Sequence, residues 1–178
     1  NMLVRMFNTA YTGGDGLSLA NASHTLPQGG TFSNQMTTPM SPSRAAVIVA
    51  TSAMRGFPGH DGVTEGVEPK KVVCPKEQWA VWEGLIKSPK DPTAGAFNEI
   101  NVVNQSLEMS VVPNKYWSDS TTRWAILTDN DTGLKFRWRR KFRGRSWVDN
   151  AQELMNYSCS GRWARGWSDP RAIFCVNA

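Results

Sequence analysis

The chain has 178 residues, 40% hydrophobic and 20% charged, which suits one compact domain with a real core and is too weakly charged for a disordered protein. Its net charge of +5 is uneven: Lys135 to Arg171 holds ten Lys/Arg against Asp149, Glu153 and Asp169, a local +7, while the remainder carries −2. Cys74, Cys159 and Cys175 are odd in number and share no C-x-x-C spacing, which argues against a disulfide framework or a zinc site and leaves buried free thiols as the expectation. The longest apolar run, Ala45 to Ala50, is too short to span a bilayer, and no visible stretch reads as a signal peptide.

Met2, Leu3, Met6, Phe7 and Ala10 sit at helical spacing. They read as the last turns of a helix whose beginning lies ahead of Asn1, stopped by Gly13 and Gly14. Gly13-Gly14-Asp15-Gly16 lacks the Gly-Lys-Ser/Thr ending of a phosphate loop and is expected to be a turn. Leu17 to Pro42 is polar and reads as a long loop or extended arm. Ser41-Pro42 is the expected cap and first turn of a helix through Met54, with Ala46, Val47, Val49, Ala50, Ala53 and Met54 on its apolar face.

Lys71 to Cys74 reads as a short buried strand. Pro75 then opens a helix through Ser88, whose inward stripe is Trp79, Trp82, Leu85 and Ile86. Ser88 to Ala96 is an expected loop. Strands follow at Ile100 to Val103, Leu107 to Val112 and Arg123 to Leu127, with a turn at Tyr116 to Asp119. Asp129-Asn130-Asp131 lacks the Gly and Glu of a calcium loop, so a hairpin turn is expected there. Val148 to Tyr157 is only weakly periodic, and Ala172 to Val176 reads as a final buried strand. Strands and helices alternate irregularly, giving an α+β class.

The most informative stretch is LKFRWRRKFRGR, residues 134–145. At period two, Leu134, Phe136 and Trp138 share one face with Phe142, while Lys135, Arg137, Arg139, Lys141 and Arg143 take the other. This predicts a strand with one buried face. Arg140 places a charge on the apolar side, which points to a bulge, an edge or an acidic neighbour. Like charges so arranged repel unless something negative lies opposite, either nucleic acid or another subunit. Lys135, Arg137, Arg139, Lys141, Arg143 and Arg145 are therefore the candidate subunit-contact or DNA-facing residues. Eight tryptophans add weight to association, since indole suits half-buried seams between chains. No catalytic residue, metal site or cofactor is expected: His24 and His60 lie among Gly- and Ser-type residues with no acid–base pair or metal spacing.

The order of landmarks resembles the major capsid (major head) proteins of tailed bacteriophages, whose shell fold is shared with encapsulins. The marks are FNTAYT, GDGLSL, SHTL, Gly29-Gly30 and Asn34, then SPSRAAVIVATSAM, KKVVCP, LIKS, FNEINVVN and RWAILTDND, closing with Arg162, Trp163, Trp167 and Asp169. The resemblance implies an axial and a peripheral domain, with the family's N-terminal arm, extended loop and most of its spine helix missing from these residues. Residues 1–12 would end the spine helix, 13–41 would be an extended loop region, 42–131 the axial domain, and 132–178 the basic peripheral strands and terminal strand. It further implies a non-enzymatic protein that assembles with itself, as hexamers and pentamers, into an icosahedral virus shell around double-stranded DNA. Scaffold and portal proteins would be further partners, no membrane would be involved, and assembly in the host cytoplasm would yield the virion. The covalent Lys–Asn cross-link of some members has no mapped positions here. A basic nucleic-acid-binding module and, behind it, a small hydrolase are the alternatives.

Overall fold

The computed structural model describes residues 2–90, 100–117 and 122–177. In chain order its elements are a small ribbon of β1 (His24–Thr25) and β2 (Thr31–Phe32), helix α1 (Arg44–Arg55), strand β3 (Pro69–Pro75), helices α2 (Trp79–Lys87) and α3 (Val102–Ser106), and strands β4 (Ser110–Asn114) and β5 (Trp124–Thr128). The long strands β6 (Leu134–Asp149) and β7 (Leu154–Trp167) follow, and β8 (Ile173–Val176) ends the chain. Helices and sheets are mixed as an α+β chain. The expected turn at Tyr116 to Asp119 and the loop after Ser88 fall partly on residues 118–121 and 91–99, outside the described residues.

Four short strands make the central sheet in the order β4-β3-β5-β8. The β3–β4 pair is parallel, and β5 runs antiparallel to both β3 and β8. Both faces of this sheet are covered, which is why its strands read as unbroken apolar runs rather than alternations. Val72, Cys74, Trp124, Ile126, Phe174 and Val176 face one core, shared with Ala46, Val47, Ala50 and Met54 of α1 and Trp82, Leu85 and Ile86 of α2. Val73, Ala125, Ile173 and Cys175 face the other, closed by Met6, Leu19, Ala20 and Trp117. Each Val, Leu, Ile, Phe or Met among them stabilises the fold by about 1.5–3 kcal/mol when fully buried. The Trp82 and Trp124 rings, both fully buried, meet at 4.9 Å and anchor the first core.

Several expectations from the sequence are corrected by tertiary context. The opening apolar residues form only a 3-10 turn at Leu3–Arg5, because the chain folds back to bury Met6 and cannot continue as a helix. The α1 cap is Ser43, whose hydroxyl accepts the Ala46 N–H at 3.1 Å. On α1, Ala46, Val47, Ala50, Thr51 and Met54 are buried, whereas Val49 is 48% exposed. Pro75 closes β3, a 3-10 turn follows at Lys76–Gln78, and α2 starts only at Trp79, which is thereby turned outward. The expected strand around Val102 is helix α3 instead, since Asn101 caps it by accepting the Val103 N–H at 3.1 Å. Asp129 to Thr132 is no hairpin turn: β5 pairs with β3 and β8, and β6 with β7, so this segment is the link from sheet to ribbon.

The polar stretch before α1 is tied down by one side chain. Buried Asn34 donates to the carbonyls of Leu19 (2.6 Å) and Pro170 (3.0 Å) and accepts the Asn21 N–H (2.9 Å). Its backbone carbonyl accepts the Cys175 N–H at 2.8 Å, so the stretch runs along β8. Fully buried His24 completes this anchor, with Nδ1 2.6 Å from Asp15 Oδ2 and Nε2 3.2 Å from the Leu19 carbonyl.

Candidate functional site

Strands β6 and β7 form a two-stranded antiparallel ribbon that pairs with no other strand among the described residues. At about 3.3 Å per residue its longer strand extends roughly 50 Å. None of its residues is buried. The expectation of one buried face is thus corrected for the single chain: the alternation is real, but neither side is covered.

The register shows how the ribbon sorts its side chains. Residues directly opposed on antiparallel strands share a face. Leu134, Phe136 and Trp138 oppose Trp167, Arg165 and Trp163, while Lys135 and Arg137 oppose Gly166 and Ala164. The register then shifts between Trp138 and Arg140 and again between Arg140 and Arg143. A bulge was one of the three readings of Arg140, and register shifts flank it on both sides. Arg139 and Lys141 fall in these two irregular steps and have no paired residue on β7. Arg140 is brought opposite Arg162, and Arg143 and Arg145 oppose Ser160 and Ser158. Because β7 runs on without interruption, Ala164, Arg162, Ser160 and Ser158 lie on one face. Lys135, Arg137, Arg140, Arg143, Arg145 and Arg162 are therefore aligned there together.

The other face is aromatic. Trp138 contacts Phe136 (5.4 Å), Phe142 (5.3 Å) and Trp163 (5.5 Å) edge to face, and Phe142 lies 5.9 Å from Trp163. A Cβ at Gly161 would strike the Phe142 ring, so only glycine lets this cluster close over β7. The cluster stays wet on its outer side, with Phe136 56% and Phe142 61% exposed. Val148, Met155 and Tyr157 extend the exposed apolar surface on this face, whereas the register puts exposed Trp147 and Leu154 on the cationic face, beyond Arg145. Cys159, expected to be buried, is exposed opposite Gly144.

At its root the ribbon is latched to the body. Asp169 accepts from Arg171 Nε (3.0 Å), Arg171 Nη2 (2.9 Å) and Asn130 Nδ2 (2.8 Å), and Arg171 Nη1 donates to Glu65 at 2.7 Å. Burial opposes the charge on Asp169, but the hydrogen bonds and charge of Arg171, with help from Asn130, outweigh it and hold the carboxyl below its ordinary value. Ser168 closes the root by bonding the Gly133 and Thr132 carbonyls. Tyr11 also reaches the ribbon: Arg165 first and Arg5 second draw its hydroxyl pKa down. No ion pair among the described residues involves Lys135, Arg137, Arg139, Arg140, Lys141, Arg143, Arg145 or Arg162.

Sequence reasoning missed β7, its Arg162 and the Asp169–Arg171 latch. The available signal was the matched spacing of Trp163 and Trp167 with Trp138 and Leu134 about a common turn, masked by the Ser, Cys and Gly residues between Ser158 and Gly161. Elsewhere the chemistry is inert. His60 is exposed in a turn, and among the described residues no cluster of His, Cys, Asp or Glu forms a metal site. Burial, and secondarily Glu83, pushes the Cys74 thiol up to about 11, and burial also raises Cys175, so neither is a ready nucleophile. No helix of the described residues is long and apolar enough to cross a membrane.

No curated protein matches the chain, and no solved structure does. The family described as "Phage capsid protein" matches residues 3–176, nearly the whole length. Both the cores and the unburied ribbon lie within that span. The chain therefore belongs to the phage capsid protein family, whose members are structural, non-enzymatic components of the virion.

Proposed function

We propose that this capsid protein assembles with copies of itself, as hexamers and pentamers, into an icosahedral shell enclosing double-stranded DNA. The axial domain covers 42–131 and the peripheral part 132–178. Residues 1–12, with their 3-10 turn at Leu3–Arg5, stand where the spine helix would end, and 13–41 are the extended loop region. Scaffold and portal proteins act on the same shell in the host cytoplasm. The observation that carries this reading is the ribbon: a long apolar and aromatic face with none of its residues buried in the chain that bears it. An isolated two-stranded hairpin is marginal in water, and exposed apolar patches of this kind mark interaction surfaces. A neighbouring copy supplies the missing cover through a heterologous contact, which closes only by symmetry. Each contact need not be strong, since many repeated ones combine by avidity.

Replacing Phe136 and Trp138 by serine tests the ribbon's aromatic face. The expected result is a folded monomer that forms no shells by electron microscopy and sedimentation. Normal shells from that double variant would remove the aromatic face from assembly.

A further inference from the structure

We infer that the cationic face of the ribbon is a binding surface for the phosphate backbone of duplex nucleic acid, while its aromatic face is left for protein. Six basic residues share that face, and those they oppose on β7 are small, Gly166, Ala164, Ser160 and Ser158, so the charged heads are unobstructed. The exception is Arg140, which opposes Arg162. Like charges directly across a strand pair destabilise it. Two directly opposed arginines with no carboxylate partner among the described residues are an arrangement that a phosphate would satisfy by charge-assisted, bidentate hydrogen bonds.

Charge balance selects the partner. The ribbon stretch carries +7 and the remaining residues −2, so no packing of these 178 residues against their own copies neutralises it. Several carboxylates of the body are already committed: Asp15 to His24, Glu68 to Arg55, Glu83 to Lys87, and Glu65 and Asp169 to Arg171. Every added copy of these residues brings a further +5, and a polyanion is the class of partner that balances it. Segregation of the two faces then favours a duplex over a single strand. Single-strand binders interleave cations with aromatic rings on which bases stack. Here Phe136, Trp138, Phe142 and Trp163 lie with Arg165 on the face away from the six aligned cations, and Trp147 stands beyond those cations at the far end of their face. The inference rests on the shell reading for the source of the duplex, the enclosed genome, but not for the contact itself.

The test is fluorescence anisotropy of the full chain with a random-sequence DNA duplex of about 24 base pairs, titrated at 50 to 200 mM NaCl. Six phosphate contacts predict a log–log salt slope of about −5 and an affinity loss of about 10³ over that range. The triple variant Arg137→Ser, Arg140→Ser, Arg162→Ser should flatten the slope by about 3 and weaken binding equally for all sequences. Phe136→Ser with Trp163→Ser, on the other face, should leave the slope unchanged. Near-ultraviolet circular dichroism of the Trp138–Trp163 pair reports whether the ribbon of the triple variant is intact. With the ribbon intact, a wild-type slope in the triple variant overturns the inference. So does tighter binding of a single strand that is lost with Trp163, or loss of DNA-free assembly in the triple variant with duplex binding unchanged, which would make the partner an acidic face of another copy. Duplex binding with the expected slope from a protein that never forms particles would support the inference and remove the shell reading instead.

Discussion

The body and the ribbon use similar residues under opposite conditions. In the body, Trp82 and Trp124 are sealed between helix and sheet, and an alternation of side chains along β5 serves two separate cores. On the ribbon, Trp138 and Trp163 pack at a comparable ring separation yet remain 43% and 49% exposed. The same side chain thus stabilises the fold in one region and awaits a partner in the other. Burial, not contact between rings, separates a core from an adhesive surface.

This contrast can be broken most severely in the core. Trp124→Ala should cost about 3–5 kcal/mol and lower the melting temperature by roughly 10 °C, whereas Trp163→Ala should cost only about 1 kcal/mol in the unassembled chain. Thermal melts of the two variants side by side check it, and equal losses would mean that the ribbon is as deeply supported as the sheet. Thiol labelling sharpens the same division. Cys159 should react within the dead time of a native assay, while Cys74 and Cys175 should react only on unfolding, giving one fast thiol of three.

The latch between the regions should be sensitive to acid. Asp169 has a folded-state pKa below its ordinary 3.8, so the native state binds its proton less readily than the unfolded state. Its stabilisation is complete above that ordinary value and is lost as pH falls through the lower folded value. Melts from pH 6 to pH 3 should show wild type above Asp169→Asn at pH 6, with the gap closing in the acid range. A constant gap would mean that the Asp169 charge contributes nothing. The smallest effect expected is at Arg162→Ser, which removes the like-charge opposition to Arg140. The monomer's melting temperature should rise by about 1 °C, the opposite sign to every core change.

Much of the body was legible from residue type. The runs VVC in β3, WAIL in β5 and IFCV in β8 are too apolar for anything but strands covered on both sides, and they fold so. Arg140 likewise announced a bulge, an edge or an acidic neighbour, because a charge in an apolar register has to be re-aimed or neutralised, and the fold answers with register shifts on both sides of it. Less visible were Val102 and Val103, β-branched residues held in a helix by the Asn101 cap. There, a specific hydrogen bond outweighed a propensity worth only tenths of a kcal/mol. His24 showed only Gly- and Ser-type surroundings with no acid–base pair, and only the fold brings Asp15 and the Leu19 carbonyl to its ring.

By itself, the sequence determined which segments are apolar, where cations and rings alternate, and how unequally charge is divided, because these follow from composition and spacing along the chain. Tertiary structure alone decided that the alternating strand is uncovered, that it pairs with β7, and that two register shifts line Arg140 up with Arg162. The reason is physical: period-two patterning says that two faces differ, but whether either is buried depends on what the rest of the chain has left to place against it.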